Sequence, residues 1–565
     1  MRILLICSAY NGLTQRVHDE LLLLNHNVSI EFALSNNHMK EAVELFHPEL
    51  IICPFLKEKI PNQIWQNYKC IIIHPGIIGD RGPSSLDWAI HENQQEWGVT
   101  ALEAVEEMDA GDIWANFNFP MRDTFKASIY RKEITKAAIK SLKKVLDNVQ
   151  KSDFKPQKLD YEKEDVKGEL KPLMQQQHRT INWQKDLTKT IIQKINAADS
   201  FPGLLDSMFD EEFYLYGAHK EDQLRDETPG KIIARRHGAI CRATIDGAVW
   251  ISHLKAKNKN SFKLPSATLL KDKLKGILEN RIPLVLEENR ETFKEIYYKE
   301  KDEVGYLHFN FHNGAMSIEQ CVRLKYAYEM IRDSKDIQVL VLMGGDDFFS
   351  NGIHLNIMED SKKSDEDGWS NIHAMNDIVR EIIHTPDLIT VASLSANAGA
   401  GGAIMALACD YVVARHGVIL NPHYKTLGLH GSEYWTYLLP KRVGKEKAYE
   451  LTETCLPIGA IRAQEMGLID IVFNEEDHIY QEELENFCHY HANKDDYYDF
   501  LDKKQEQRQK DENIKPLESY RNEELEHMYK SFYEKDSLFN KLRCEFVYKI
   551  KAKETPKRLA IHRKK

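Results

Sequence analysis

Three stretches combine residue types and spacings that could move a proton or hold a developing charge. The first is His74, which ends the apolar run Cys70-Ile71-Ile72-Ile73 and opens the turn Pro75-Gly76-Ile77-Ile78-Gly79-Asp80-Arg81-Gly82-Pro83. Farther on stands Met108-Asp109-Ala110-Gly111-Asp112-Ile113. A carboxylate brought against an imidazole fixes its tautomer and supports the imidazolium, so such a pair transfers protons. A buried core His and a turn Asp would show the same spacing. The second stretch is a pair of glycine turns. Val339 to Gly345 leads into Asp346-Asp347-Phe348-Phe349-Ser350-Asn351-Gly352-Ile353-His354-Leu355, and Ile389 to Ala396 leads into Asn397-Ala398-Gly399-Ala400-Gly401-Gly402 before a helical run from Ala403. Two such turns, roughly fifty residues apart, can aim two backbone N–H groups at one oxygen, with a helix N-terminus behind one of them. The third, residues 421–437, is dense in Tyr, His, Lys, Ser and Glu. It is either proton-transfer machinery or an aromatic packing element with wet polar tips.

The surrounding pattern says what must position these groups. Ile3 to Cys7, Val28 to Ala33, Leu50 to Cys53, Cys70 to His74 and Gly98 to Val105 are short apolar runs separated by amphipathic or polar segments. That alternation predicts βαβ units and a mostly parallel sheet, whose ligands sit at the carboxyl ends of the strands. A Lys- and Glu-rich stretch, 151–172, reads as a solvated connection. Short strands with Gly turns follow to Trp250-Ile251, and the polar, Pro-interrupted residues 256–300 hold the best candidate for the major boundary. Past 495 the chain is charged and helical in pattern and ends in a basic tail, Arg558 to Lys565, expected to fray.

Composition narrows the classes. With 565 residues there is room for three or four domains. A net charge of −11 argues against a nucleic-acid binder, and no apolar run nears the roughly 20 residues of a membrane span. The start, MRILLICSAYNG, has no signal-peptide layout, so a cytoplasmic location is expected. The nine cysteines include no C-x-x-C pair, and Cys488-His489-Tyr490-His491 places neighbouring ligand types on diverging sides of a helix, so no metal is expected.

The segments I-I-H-P-G-I-I-G-D-R-G-P-S-S-L-D-W-A-I, W-G-V-T and M-D-A-G-D-I resemble the formyltetrahydrofolate-dependent formyltransferases. That resemblance implies a Rossmann-like domain over 1–160 with His74 and Asp109 catalytic, and a small OB-like β-barrel over 161–255. It also implies folate contacts from Cys53-Pro54-Phe55-Leu56, Ile72, Arg81 and Gly82. The family's Asn falls at Ile72, so one donor expected to stabilise the tetrahedral intermediate is missing. The pair G-G-D-D-F-F-S-N-G-I-H-L and A-N-A-G-A-G-G-A resembles the crotonase (enoyl-CoA hydratase/isomerase) superfamily. It implies a crotonase-like α/β domain over 296–495, after a linker at 256–295, with a helical extension over 496–565. The two amides that hold a thioester carbonyl fall on Ile353 and Gly401, with Ser350, Gly352 and Gly402 in the coenzyme A site and Lys325 or Arg442 toward its phosphates. The hydratase glutamates fall on Ile404 and near Tyr424, which argues against hydration; Tyr424 and Glu433 are left as the acid/base candidates.

Together the two halves resemble the hydrogenase maturation factors of the HypX/HoxX family. That resemblance implies 10-formyltetrahydrofolate and coenzyme A as substrates, formyl transfer to CoA, and decarbonylation of formyl-CoA to CO for a nickel-iron centre. It implies small-molecule substrates and other hydrogenase maturation proteins as partners, with neither nucleic acid nor membrane. A formyltransferase acting on an amine, and a non-catalytic folate- and CoA-binding scaffold, remain alternatives.

Overall fold

The computed structural model describes residues 1–258, 260–334, 336–534 and 536–564. The chain forms two compact units: Met1–Asn280 with Glu291–Phe293 and Lys551–Lys565, and Arg281–Arg290 with Lys294–Ile550.

The first unit opens with β1 (Arg2–Cys7), β2 (Asn27–Phe32), β3 (Leu50–Cys53), β4 (Cys70–His74), β5 (Glu96–Glu103) and β6 (Ile113–Pro120), in sheet order β2-β1-β3-β4-β5-β6. β1 to β4 are parallel, while β5 and β6 add antiparallel ladders at one edge. Ile3 to Cys7 and Leu50 to Cys53 are buried, because helices cover both faces of a parallel sheet. A second, all-antiparallel sheet follows: β7 (Leu204–Met208), β8 (Glu211–Glu221), β9 (Ile232–Arg236), β10 (Ala239–Ala243), β11 (Ala248–Ala256) and β12 (Leu264–Pro265). Its strands alternate between two buried sets. Ile240, Val249 and Ile251 join Ile191 and Ile195 of helix Thr188–Ala197, and Cys241, Ala248 and Trp250 pack with Phe293.

Three segments differ from their sequence expectation. Residues 151–172 are not simply solvated: Gly168 N donates to Ile78 O (2.9 Å), Lys171 N to Arg81 O (2.9 Å) and Tyr161 Oη to Gly79 O (3.1 Å), so this segment braces the turn after β4. The polar stretch 256–295 carries β12 and the short helices Ser266–Leu270 and Lys271–Leu274; Leu264, Leu270, Leu274 and Phe293 are buried. A few buried anchors suffice to fix a stretch that is polar on average. The basic tail does not fray. It lies on the edge strand β2, with Ile30 N donating to Leu559 O (3.1 Å), and Thr555, His562 and Arg563 all hydrogen-bond Glu31, which has no exposed side-chain surface. An edge strand covered in this way is closed to further pairing.

The second unit has the sheet β13 (Ile296–Lys301), β14 (Val304–Phe309), β15 (Val339–Gly344), β17 (Ile389–Leu394), β19 (Tyr411–Arg415) and β22 (Ile471–Phe473) in that order, parallel except for β13. A smaller sheet holds β16 (Phe348–Ser350), β18 (Asn397–Gly399), β20 (Ile419–Asn421) and β21 (Ile458–Gly459). The chain thus steps from large sheet to small sheet three times, at β15 to β16, β17 to β18 and β19 to β20, and the glycine turns leave the small sheet. Helix Asp477–Ala492 covers the large sheet through Tyr480, Leu484 and Cys488; Cys488 and His491 are buried there, while His489 and Tyr490 are exposed. No helix among the described residues is long and apolar enough to cross a membrane.

Candidate active sites

In the first unit, β4 delivers His74 and the following turn folds back over it. The Pro75 carbonyl accepts from Ser85 Oγ (2.8 Å) and Trp97 Nε1 (2.9 Å), and the Gly76 carbonyl from Thr100 Oγ1 (2.8 Å). The turn brings in a partner that sequence reading passed over. His74 Nε2 lies 2.8 Å from Asp80 Oδ2, while Nδ1 lies 3.5 Å from Asp109 Oδ1. The imidazole therefore sits between two carboxylates. Gly76 permits this, since a Cβ there would overlap the Asp80 carboxylate and the imidazole edge. Asp109 takes a left-handed conformation (φ 56°), which Asp tolerates better than most residues. The signal for Asp80 was present, a carboxylate in a glycine-flanked turn six residues after the His, but its approach depends on glycine-to-backbone contacts far along the chain. A Cβ on Gly168 would overlap the Asp80 backbone.

Burial alone would favour the neutral imidazole. The hydrogen bond to Asp80 and the charges of Asp109 and Asp80 outweigh it, so the His74 pKa lies above its ordinary value. Ile72, on the same face of β4, offers no donor, and the Asn116 amide on β6 is engaged with Thr100 Oγ1 and Val99 O. Cys53 is fully buried and burial pushes its thiol well up, which disfavours the thiolate. Next along, Phe55 O accepts from Ser8 N (2.8 Å), and the Phe55 ring meets Tyr130 edge-on at the start of a π-helical turn, Tyr130–Ile134. Pro54 is buried and Leu56 partly exposed beside it. Arg81 pairs with Glu107 (2.9 Å) and faces the Tyr161 ring, and Gly82 (φ 118°) touches the Lys171 backbone.

In the second unit the two glycine turns meet. A Cβ on Gly352 would stand 3.2 Å from Gly401 N, and one on Gly402 would overlap the Ser350 carbonyl. Ser350 Oγ accepts from Gly352 N (3.1 Å), and Met316 bonds on both sides of Ile353, through Gly352 O and His354 N. Among the described residues, the amides of Ile353 and Gly401 donate to none of the fold's own acceptors. Ala400, just before Gly401, is held at φ 46°, ψ −131°. Non-glycine residues in such sparsely populated regions cost roughly 1–3 kcal/mol each and cluster at functional sites.

Beside Gly401 lies Glu433. Its carboxyl atoms come within 2.5–3.0 Å of where a Gly401 Cβ would be, so only glycine admits it. Tyr424 Oη donates to Glu433 Oε2 (2.7 Å), and Ser432 N to the same oxygen (3.2 Å). Gly431 (φ 93°) leaves room for the Tyr424 ring. Burial raises Glu433 to about 7 against those hydrogen bonds, and burial with the Glu433 charge pushes Tyr424 well above its ordinary value. Glu433 does not cap the helix that follows it; Tyr434 occupies the cap position of Trp435–Val443. The arrangement can hold a carbonyl oxygen on two backbone amides and accept a proton beside them. Lys325 and Arg442 are paired with Glu329 and Asp470.

Three family comparisons cover almost the whole chain. The formyl transferase family matches residues 2–146, the formyl transferase C-terminal domain 173–268, and the enoyl-CoA hydratase/isomerase family 270–552. A methionyl-tRNA formyltransferase of Sulfurihydrogenibium sp. is 24% identical over 242 residues, 42% of this chain and 76% of that protein. The hydrogenase maturation factor HoxX of Bradyrhizobium diazoefficiens is 41% identical over 564 residues, 100% of this chain and 97% of that protein. The crystal structure of HypX from Aquifex aeolicus in complex with tetrahydrofolic acid superposes with a TM-score of 0.96 at 44% identity, covering 100% of this chain and 99% of that one. With family models matching both halves and a full-length relative in agreement, the chain belongs to the HypX/HoxX family of hydrogenase maturation factors.

Proposed function

We propose that the protein makes carbon monoxide in two steps, taking formyl from 10-formyltetrahydrofolate onto coenzyme A and then decarbonylating formyl-CoA. The observation that carries this reading is the Glu433–Tyr424 pair pressed against Gly401. A crotonase-like oxyanion site lacking both hydratase glutamates has kept one buried carboxyl whose proton affinity suits exchange near neutral pH.

In the first step the CoA thiol loses its proton, the thiolate attacks the formyl carbon, and the carbon–N10 bond breaks with a proton delivered to nitrogen. His74, flanked by Asp80 and Asp109, carries the proton. Cys53 to Leu56 and Arg81–Gly82 are proposed to line the folate. In the second step the thioester oxygen rests on the amides of Ile353 and Gly401, in the cradle of Ser350, Gly352 and Gly402. Glu433 takes the formyl proton, the carbon–sulfur bond breaks, and the same proton returns to sulfur through the Glu433–Tyr424 pair, leaving CO and CoA. No oxidant is required.

The deciding experiment incubates the full chain with 10-formyltetrahydrofolate and CoA, trapping CO on a haem protein and separating formyl-CoA by chromatography. Wild type should yield CO in proportion to tetrahydrofolate released. Tyr424→Phe and Glu433→Gln should release tetrahydrofolate and accumulate formyl-CoA while CO falls about 10²- to 10⁴-fold, the usual effect of removing an acid/base group. CO at the wild-type rate from both variants refutes the second step as drawn.

A further inference from the structure

The Glu433 carboxyl is aimed by backbone that its own sequence does not favour. Glu433 and Tyr434 both lie in the left-handed region, at φ 62° and 61°, a conformation that two successive non-glycine residues rarely adopt. Helix Trp435–Val443 begins immediately afterwards, so the amides of Tyr434 and Thr436 are helix-start donors without intrahelical partners. Both are bound by one buried carboxyl, Glu524, from the middle of helix Leu517–Tyr533. Tyr434 N donates to its Oε2 (2.9 Å), Thr436 N to its Oε1 (2.8 Å), and Thr436 Oγ1 to Oε1 (2.6 Å). One residue earlier, Glu433 N donates to Oδ1 of the fully buried Asn376 (2.7 Å). Side chains from two other helices therefore hold the amides of residues 433, 434 and 436.

We propose that Glu524 is a positioning residue for the second site, locking the left-handed Glu433–Tyr434 corner that turns the Glu433 carboxyl onto Tyr424 and Gly401. The inference rests on the reading of this site as the place of formyl-CoA decarbonylation and adds to it a residue from a helix that carries none of the sequence motifs. A Ser, Thr or Asp at the cap position would satisfy the same helix start at the surface. Here the cap position is Tyr434, and a carboxyl is brought from another helix and buried, where the donors of this corner satisfy it. The placement also sets a second buried carboxyl behind the first. Burial raises Glu524 to about 8, with the Glu433 charge adding to it against the three donors. The other titratable groups facing Glu433 are Tyr424 and, from helix Ile318–Arg332, Cys321.

The test uses full-length Glu524→Ala and Glu524→Gln proteins with formyl-CoA as the substrate. Glu524→Ala should lower kcat for CO release at least about tenfold while CoA affinity by calorimetry stays within about twofold, because the corner serves the reacting carboxyl and not ligand binding. Glu524→Gln keeps the size and an acceptor oxygen, so it should recover activity relative to the alanine variant. A cap that only stabilises the fold would lower the Tm of Glu524→Ala and leave its kcat unchanged, and that result overturns the proposal. If the wild-type protein releases no CO, the decarbonylation reading fails, and Glu524 is then judged by crystallography. Loss of the Tyr424–Glu433 hydrogen bond in Glu524→Ala supports positioning, and its retention refutes it. Should the alanine variant not fold, Glu524→Gln decides alone: a lowered kcat with a lengthened Tyr424–Glu433 separation supports positioning, and wild-type values of both refute it.

Discussion

Replacing Asp80 by Asn tests the site in the first unit most directly, because Asn keeps the shape and removes only the charge. The Asp80 and His74 side chains are 3% and 6% exposed and 2.8 Å apart, so solvent screens the pair little. A hydrogen bond involving a charged group contributes about 1.5–3 kcal/mol. At 1.4 kcal/mol per factor of ten, the loss corresponds to a slowing of formyl transfer of roughly 10- to 100-fold, if the pair supports the imidazolium in the transition state. The His74 pKa is raised in the folded protein by Asp80 and Asp109 acting against burial. Its stabilising contribution is therefore fully present below the unfolded value and is lost as pH rises through the folded one. Asp80→Asn should accordingly bring the limb of the pH–rate profile governed by His74 to lower pH, and its stability deficit should be largest on the acid side. Tetrahydrofolate release with CoA as acceptor, followed by absorbance across the neutral range, reads the rate and the profile together. Wild-type turnover with an unmoved profile would refute the role of Asp80 and leave Asp109, at 3.5 Å, as the working partner.

Glu433→Gln should change how stability depends on pH. Glu433 is raised from 4.5 to about 7, so its contribution is present at low pH and is lost as pH climbs from about 4.5 to 7; the variant should gain on wild type by about 3 kcal/mol over that interval, read as a relative rise in Tm between pH 5 and pH 8. Gly401→Ala would press a methyl group into the Glu433 carboxyl, so it should abolish CO release while leaving tetrahydrofolate release near wild type. A chain ending at Ile550 strips Thr555, His562 and Arg563 from the buried Glu31, and removing partners of a buried charge costs about 3–5 kcal/mol; the first unit should melt earlier, whereas an unchanged melting profile would show the tail to be dispensable. The loss should be greatest above the ordinary carboxylate range, because the tail, against the effect of burial, holds Glu31 below its usual value.

Much of the fold was legible because periodicity and punctuation are local. Ile3 to Cys7, Leu50 to Cys53 and Val339 to Gly344 read as buried parallel strands from their unbroken apolar runs, and each is one. The paired glycine turns were legible for the same reason, since Ser350-Asn351-Gly352-Ile353 and Ala400-Gly401-Gly402 each announce a strand leaving into a tight turn. Averages misled where a few residues govern a polar stretch. Residues 151–172 and the tail from 551 are Lys-rich, yet Gly168 in one, and Thr555 and His562 in the other, dock them against the sheet domain.

The site partners that sequence reading missed share a physical cause. Asp80 reaches His74 because Gly76 and Gly168 let three backbone segments touch, and Glu524 reaches the Glu433 corner from a helix that begins more than eighty residues after it. Neither arrangement leaves a local periodic trace. In both sites the legible residue is the one proposed to meet substrate, and the illegible one holds it from behind. A titratable group does little for proton transfer until its proton affinity and direction are set, and in a buried site both are set by the neighbours. His74 is raised by two carboxylates, and Glu433 is turned by two helices and raised by burial. The substitutions that separate chemistry from scaffolding here are therefore those at Asp80 and Glu524, where the reacting group stays in place and only its setting changes.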